Sequence, residues 1–179
     1  PSALLRLHQN IQENPQKAWF TGHVNVVNGE GQEIRKLVTS YKRYRLGKIT
    51  LSHLFHENII CQMGTYFSRD AFLKVGGVRE DLHYVMDYDL WLKLYTQFGE
   101  PGLLTKHDSP PLGYFRMVAG TKSVEGFEDQ FKEELNIAIE HLRKLKNHSN
   151  SNLNLPSETS LAWPRHRIIL AYKFFKLLK

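Results

Sequence analysis

Val85-Met86-Asp87-Tyr88-Asp89-Leu90-Trp91, continued by Leu92-Lys93-Leu94-Tyr95-Thr96-Gln97-Phe98, opens on two carboxylates and runs into an apolar stripe at helical spacing, Leu90, Trp91, Leu94, Tyr95 and Phe98. Acidic side chains at its start suit the positive end of a helix dipole. The spacing predicts a helix over Val85 to Phe98. Successive side chains on a helix are rotated by about 100°, so Asp87 and Asp89 diverge and only one of them readily points into a shared cleft. One carboxylate base is expected there, not a dyad. The competing reading has one Asp capping the helix through a backbone N–H while the other favours the dipole, and spacing alone does not separate the two.

Outward from this helix the chain alternates, as α/β proteins do. Ala3 to Ile11 carries Leu4, Leu7 and Ile11 at helical spacing, with Pro15 beyond its end. Trp19 to Val27 has strand composition. Asn28-Gly29-Glu30-Gly31 is a turn sequence, and Ile34, Leu37 and Val38 after it predict the return strand of a hairpin. Tyr41 to Asn58 is mixed and basic at its start. Ile59 to Phe67 returns to strand composition, and Arg69 to Val75 predicts a short helix stopped by Gly76-Gly77. Pro110 to Val118 predicts a strand with aromatic residues at its centre. Glu125 to Lys146 predicts a long helix, acidic at its start and basic at its end. The expected organisation is one α/β domain over 1–146, an Asn- and Ser-rich linker over 147–162, and a basic amphipathic helix over 163–179.

A chain of 179 residues, 41% hydrophobic and 12% aromatic, suits one domain with a buried core. The formal charge of +6 is unevenly placed: Arg165, Arg167, Lys173, Lys176 and Lys179 give the last fifteen residues +5 and leave the rest near +1. That distribution argues against a surface built for nucleic acid, and no nucleic-acid motif is present. No apolar run reaches the roughly 20 residues needed to span a bilayer. Single Cys61 cannot form an internal disulfide, in keeping with a reducing cytoplasm and an inert thiol. His53 and His56 stand three apart with no third ligand at a metal-binding spacing, and they read as structural or surface residues.

Several segments, in order, resemble family 2 glycosyltransferases of the GT-A fold. Pro1-Ser2-Ala3-Leu4 resembles the helix start that follows the family's DXD motif; Trp19 to Val27 with Asn28-Gly29-Glu30-Gly31 resembles its next strand and turn. Asn58 to Arg69 is similar to the strand before its short helix, Phe72-Leu73-Lys74-Val75-Gly76-Gly77-Val78 to its Phe-x-x-x-Gly-Gly-Phe turn, Met86 to Leu92 to its Asp-Tyr-Asp-Leu-Trp motif, and Tyr114-Phe115-Arg116 to its later Phe-Arg. Together they span most of Pro1 to Ser123.

The resemblance implies a GT-A-like mixed sheet flanked by helices, lacking the N-terminal nucleotide-binding half, with a helical extension at the C-terminus. It implies inverting transfer of a sugar from a nucleotide-sugar donor to the hydroxyl of a glycan or lipid-linked acceptor, in polysaccharide assembly at the cell envelope. Asp87 matches the general base. Gln62, Gly64, Thr65, Tyr66 and Asp89 are expected to bind substrate, and Arg116 and Lys122 to hold phosphate oxygens. A divalent cation, Mn or Mg, is expected with DXD ligands upstream of Pro1, and the chain is expected to be a fragment inactive by itself. Val118 stands where the family often carries a His that serves the metal or the diphosphate. The tail over 163–179 is expected to touch an anionic membrane, placing the protein in the cytoplasm or peripherally on the inner face of the plasma membrane. A glycan-binding module without turnover is the alternative function, and residues upstream of Pro1 discriminate the two.

Overall fold

A computed structural model of the chain describes residues 2–105, 109–118, 120, 126–148 and 155–166. Helix α1 (Ser2–Glu13) leads into strands β1 (Trp19–Thr21), β2 (Val24–Val27) and β3 (Glu33–Ile34), then helices α2 (Lys36–Leu46) and α3 (Leu51–His56). Strand β4 (Thr65–Phe67), helices α4 (Arg69–Lys74) and α5 (Met86–Phe98), strands β5 (Gly102–Leu103) and β6 (Gly113–Arg116), and the long helix α6 (Phe127–His148) follow. Residues 158–166 are helical again. The molecule is α/β, with two small mixed sheets flanked by helices.

In the first sheet β1 is central, antiparallel to β4 with Phe20 opposite Tyr66, and parallel to β5. In the second, β2 is central, antiparallel to β3 with Val26 opposite Ile34, and parallel to β6 with Asn25 opposite Tyr114. Gly22 and His23 carry the chain from one sheet to the other. The turn after β2 is tied by Asn28, whose Oδ1 accepts from the backbone N–H of Glu30 and of Gln32.

The hairpin is shorter than the sequence predicts. Arg35 adopts a left-handed backbone, φ 55°, which ends β3 after two residues and starts α2. Leu37 and Val38 therefore lie on a helix and not on the return strand, and both face solvent. Of Ile59 to Phe67 only Thr65–Phe67 is strand, after a 3-10 turn over Gln62–Gly64. Helix α4 ends where expected, with Gly76 and Gly77 at φ 79° and 65°.

Helix α5 is the spine of the core, its side chains Tyr88, Leu90, Trp91, Leu92 and Leu94 all buried. Trp91 stacks on Trp19 of β1 at 6.1 Å and 8°, a geometry worth about 0.5–1.5 kcal/mol beyond area burial. Trp19 also donates from Nε1 to the Gly99 carbonyl at 3.0 Å, joining β1 to the far end of α5. Leu54 and Phe55 of α3 and Ile137, Ala138 and Leu142 of α6 close the same cluster.

The C-terminal segment corrects the expected organisation. Helix begins at 158, inside the stretch that reads as a linker, and Leu161 is fully buried in the main core. Arg165 does not stand on an exposed basic face: its side chain is 2% exposed and pairs with Glu134 of α6, Nη2 to Oε1, at 2.9 Å. Residues 167–179, which carry the rest of the tail charge, lie outside the described residues, as does Glu125, where the long helix is expected to begin. Among the described residues no helix is long and apolar enough to cross a membrane.

Candidate functional site

The junction between the two sheets is built on close backbone approach. Gly22 N–H donates to the Gly64 carbonyl at 2.9 Å, and a Cβ on Gly64 would stand 2.6 Å from the Gly22 oxygen. A Cβ on Gly22 would meet Leu112 Cδ1 at 2.5 Å and Thr105 Oγ1 at 2.8 Å. Only glycine fits at Gly64, where the clash is with backbone, and a side chain at Gly22 would have to displace Leu112 and Thr105. Thr65 is buried next to them, its hydroxyl donating to the Cys61 carbonyl at 2.9 Å and 2.9 Å from Thr21 Oγ1. Gly64 and Thr65 thus hold the junction together and offer no free group to a substrate, which corrects the expectation that they bind it. Tyr66 packs half-buried on Phe20, Leu104 and Leu112, whereas Gln62 is exposed, so Gln62 and Tyr66 do not line one cleft.

Beside the junction a small cleft opens between Gly22, His23 and Val24 on one wall, Thr39, Lys42 and Arg43 of α2 on the other, and Ile59 and Cys61 below. His23 Nδ1 lies 3.2 Å from Thr105 Oγ1, which also accepts from the His23 backbone N–H at 2.7 Å. That hydroxyl and Nδ1 share one hydrogen bond, whose direction follows the imidazole tautomer. Burial, and then the positive fields of Arg43 and Arg6, push the imidazole down to about 4, so it is neutral at physiological pH. Thr39 Oγ1 is buried in the α2 wall and has no hydrogen-bond partner among the described residues. The Cys61 thiol is pushed up, first by burial, and is inert as the sequence suggests.

Asp87 stands at the start of α5, within the fields of Lys42 and Cys61. Burial raises its carboxyl above the usual range; the backbone N–H of Tyr88, 2.7 Å from Oδ1, and the Lys42 ammonium only partly offset it. A carboxylate of raised basicity beside a cation is suited to take a proton from a hydroxyl. Its position is fixed from α6. Glu133 accepts the three backbone N–H groups ahead of α5, His83 at 2.9 Å, Tyr84 at 2.6 Å and Val85 at 3.0 Å. Spacing could not reveal this support, because Glu133 is about fifty residues away in sequence.

Asp89 points the other way, as the 100° rotation requires. It is fully buried, with Oδ1 2.7 Å from His141 Nε2 and Oδ2 2.6 Å from Lys93 Nζ. Burial drives its carboxyl up, but the bond from His141 and the pair with Lys93 outweigh burial and leave it below the usual range. Substrate cannot reach it, so Asp89 is a core anchor and not a binding residue. Arg116 is exposed on β6 and donates from Nη1 to the Gly29 carbonyl, away from the cleft beside α2. Lys122 lies outside the described residues.

No family model, curated protein or solved structure matches this chain. Among the described residues no three His, Cys, Asp or Glu side chains gather as metal ligands would. The Mn or Mg expected from the sequence would be held by residues upstream of Pro1, not by these. His23, Lys42, Arg43 and Cys61 line one cleft, and Asp87 stands within electrostatic reach of Lys42 and Cys61. Only Asp87 is legible from the sequence, since the others have no motif and meet through the fold.

Proposed function

We propose that the protein transfers a sugar, with inversion, from a nucleotide-sugar donor to an acceptor hydroxyl, and that the two mixed sheets belong to the acceptor side of a GT-A domain. The observation that carries this reading is Asp87: a half-buried carboxyl of raised basicity, rigidly held at a helix start beside a cationic cleft. In the step, the acceptor oxygen gives its proton to an Asp87 carboxylate oxygen as it bonds to the anomeric carbon. The bond from that carbon to the diphosphate oxygen breaks on the opposite face, and the electron pair leaves with the nucleoside diphosphate. Lys42 and Arg43 supply positive charge toward an anionic leaving group. Neutral His23 offers a polar ring to the cleft that adds no charge.

Asp87→Asn in the full-length protein tests this. Turnover of a responsive nucleotide sugar, found by screening donors for transfer or hydrolysis, falls by about 100-fold or more while donor affinity stays within about twofold. Near-normal turnover in that variant removes Asp87 from the role. Glycan binding with no turnover of any donor replaces the transferase by a binding module.

A further inference from the structure

Helix α2 presents two opposed faces. Thr39 and Leu46 are buried against the body, while Leu37, Tyr41 and Tyr44, one helical turn apart in succession, form the ridge diametrically opposite. Leu37 is 88% exposed, Tyr44 61% and Tyr41 49%, and Val38 widens the ridge on one side. An isolated exposed Leu needs no explanation, but an outward ridge of four large apolar or aromatic side chains on one helix does. Its surroundings are basic: residues 35–48 hold Arg35, Lys36, Lys42, Arg43, Arg45 and Lys48 and no acidic residue. Lys48 places its ammonium 4.4 Å above the Tyr44 ring and 2.6 Å from its hydroxyl. Glu57 is the acidic group on this face, and it is engaged by the Tyr41 hydroxyl at 2.8 Å and by Arg45 at 3.7 Å.

We infer that the outward face of α2 docks on an anionic lipid bilayer. Leu37 enters the acyl boundary; Tyr41 and Tyr44 sit at headgroup level, where an apolar ring with a polar tip is favoured; and Arg35, Lys36 and Lys48 meet lipid phosphates. An apolar ridge alone would fit a protein groove equally well. The basic rim, interrupted only where Glu57 pairs with Arg45 among the described residues, matches an anionic bilayer, which offers both an apolar layer and a continuous negative surface. The inference does not depend on the transferase reading or on residues 167–179. Its geometric consequence is that the cleft lined by Thr39, Lys42 and Arg43, on the inner side of the same helix, lies about one helix diameter, roughly 10 Å, from the lipid. An acceptor anchored in that bilayer is within reach.

The test is sedimentation of the full-length protein with vesicles of phosphatidylcholine, alone or mixed with phosphatidylglycerol. Binding is expected to the mixed vesicles, to fall with salt, and to weaken at least about tenfold in Leu37→Glu and about fivefold in Lys36→Ala, each cation near the surface contributing about 1 kcal/mol. Leu37 touches no core residue, so the thermal midpoint of Leu37→Glu stays unchanged and separates lost docking from lost fold. A Leu37→Trp variant shifts its emission to the blue on mixed vesicles and is quenched by brominated acyl chains. Equal binding to neutral vesicles, or Leu37→Glu binding like the parent, overturns the inference. So does a parent that self-associates in solution and a Leu37→Glu variant that does not, since the ridge is then an interface between copies.

Discussion

Asp89, with Oδ1 held by His141 and Oδ2 by Lys93, gives up water entirely, and a carboxylate survives such burial only because both partners are in place. Removing the charge leaves the half-buried Lys93 ammonium uncompensated. Asp89→Asn is expected to lower stability by about 3 kcal/mol, the low end for a broken buried pair because Lys93 keeps a path to solvent, measured by urea unfolding at neutral pH. Among the groups that set how stability falls in acid, His23 and Asp89 are both buried and act in separate windows. Folded His23 titrates at about 4 against 6.5 unfolded, so between these values the unfolded chain takes a proton that the folded one refuses, and stability drops as pH falls. Folded Asp89 titrates below its usual 3.8, so its contribution is complete above about pH 4 and is lost only below. Unfolding midpoints across pH 3 to 7 are expected to lose their decline from 6.5 to 4 in His23→Gln, and their steepest acid limb in Asp89→Asn. The divergence of the two carboxylates is legible from a helical rotation of about 100°. Which of them faces inward is not, since that is decided by His141, 52 residues away.

Helix α5 is legible from its apolar stripe because that stripe is what the core buries, whereas α2 is misread because its apolar residues face outward. Leu37 and Val38 continue the composition of the strand before them, and only the left-handed turn at Arg35 ends it. Periodicity reports burial, and a surface-facing apolar ridge carries the wrong sign. The start of α5 makes the complementary point. Val85, its N-cap, has no side-chain cap, and the loop N–H groups that local residues leave unsatisfied are taken by Glu133 of α6. Glu133→Ala orphans three donors at once and is expected to cost about 2–3 kcal/mol, offset where the loop opens to water. Amide exchange at His83, Tyr84 and Val85 accelerates selectively in this variant. If those amides exchange as in the parent, α6 does not hold the α5 start. On the proposed transferase reading, the same variant is expected to lower turnover more than donor affinity, because Asp87 would be displaced while the cationic cleft is untouched.

At the scale of the molecule, the C-terminal segment decides whether the chain is a domain with an appendage or one cooperative body. Arg165 crosses from 158–166 into the interior. It donates from Nε to Glu134 at 3.1 Å, from Nη1 to the Leu161 carbonyl at 2.9 Å, and from Nη2 to the Phe55 carbonyl at 3.0 Å and to the Tyr88 hydroxyl at 3.3 Å. One guanidinium therefore ties α3, α5 and α6 to the terminal segment, with Tyr88 adjacent to Asp87. The basic run in the sequence hides this, because a buried Arg and a solvated one carry the same letter and a similar helical phase. Arg165→Met is expected to cost about 3–5 kcal/mol, since it strands the buried Glu134 carboxylate together with the Phe55 carbonyl. The double variant Arg165→Met, Glu134→Leu restores most of the loss, as apolar replacements of buried pairs do, and falls short of the parent because Asn58 N–H, which donates to Glu134 at 3.3 Å, loses its acceptor. Thermal unfolding of the parent, both single variants and the double variant supplies the cycle. Single losses that add, with no recovery in the double, would mean that the two side chains do not share an ion pair. An Arg165→Met midpoint equal to the parent's would return 158–166 to the status of a detachable appendage.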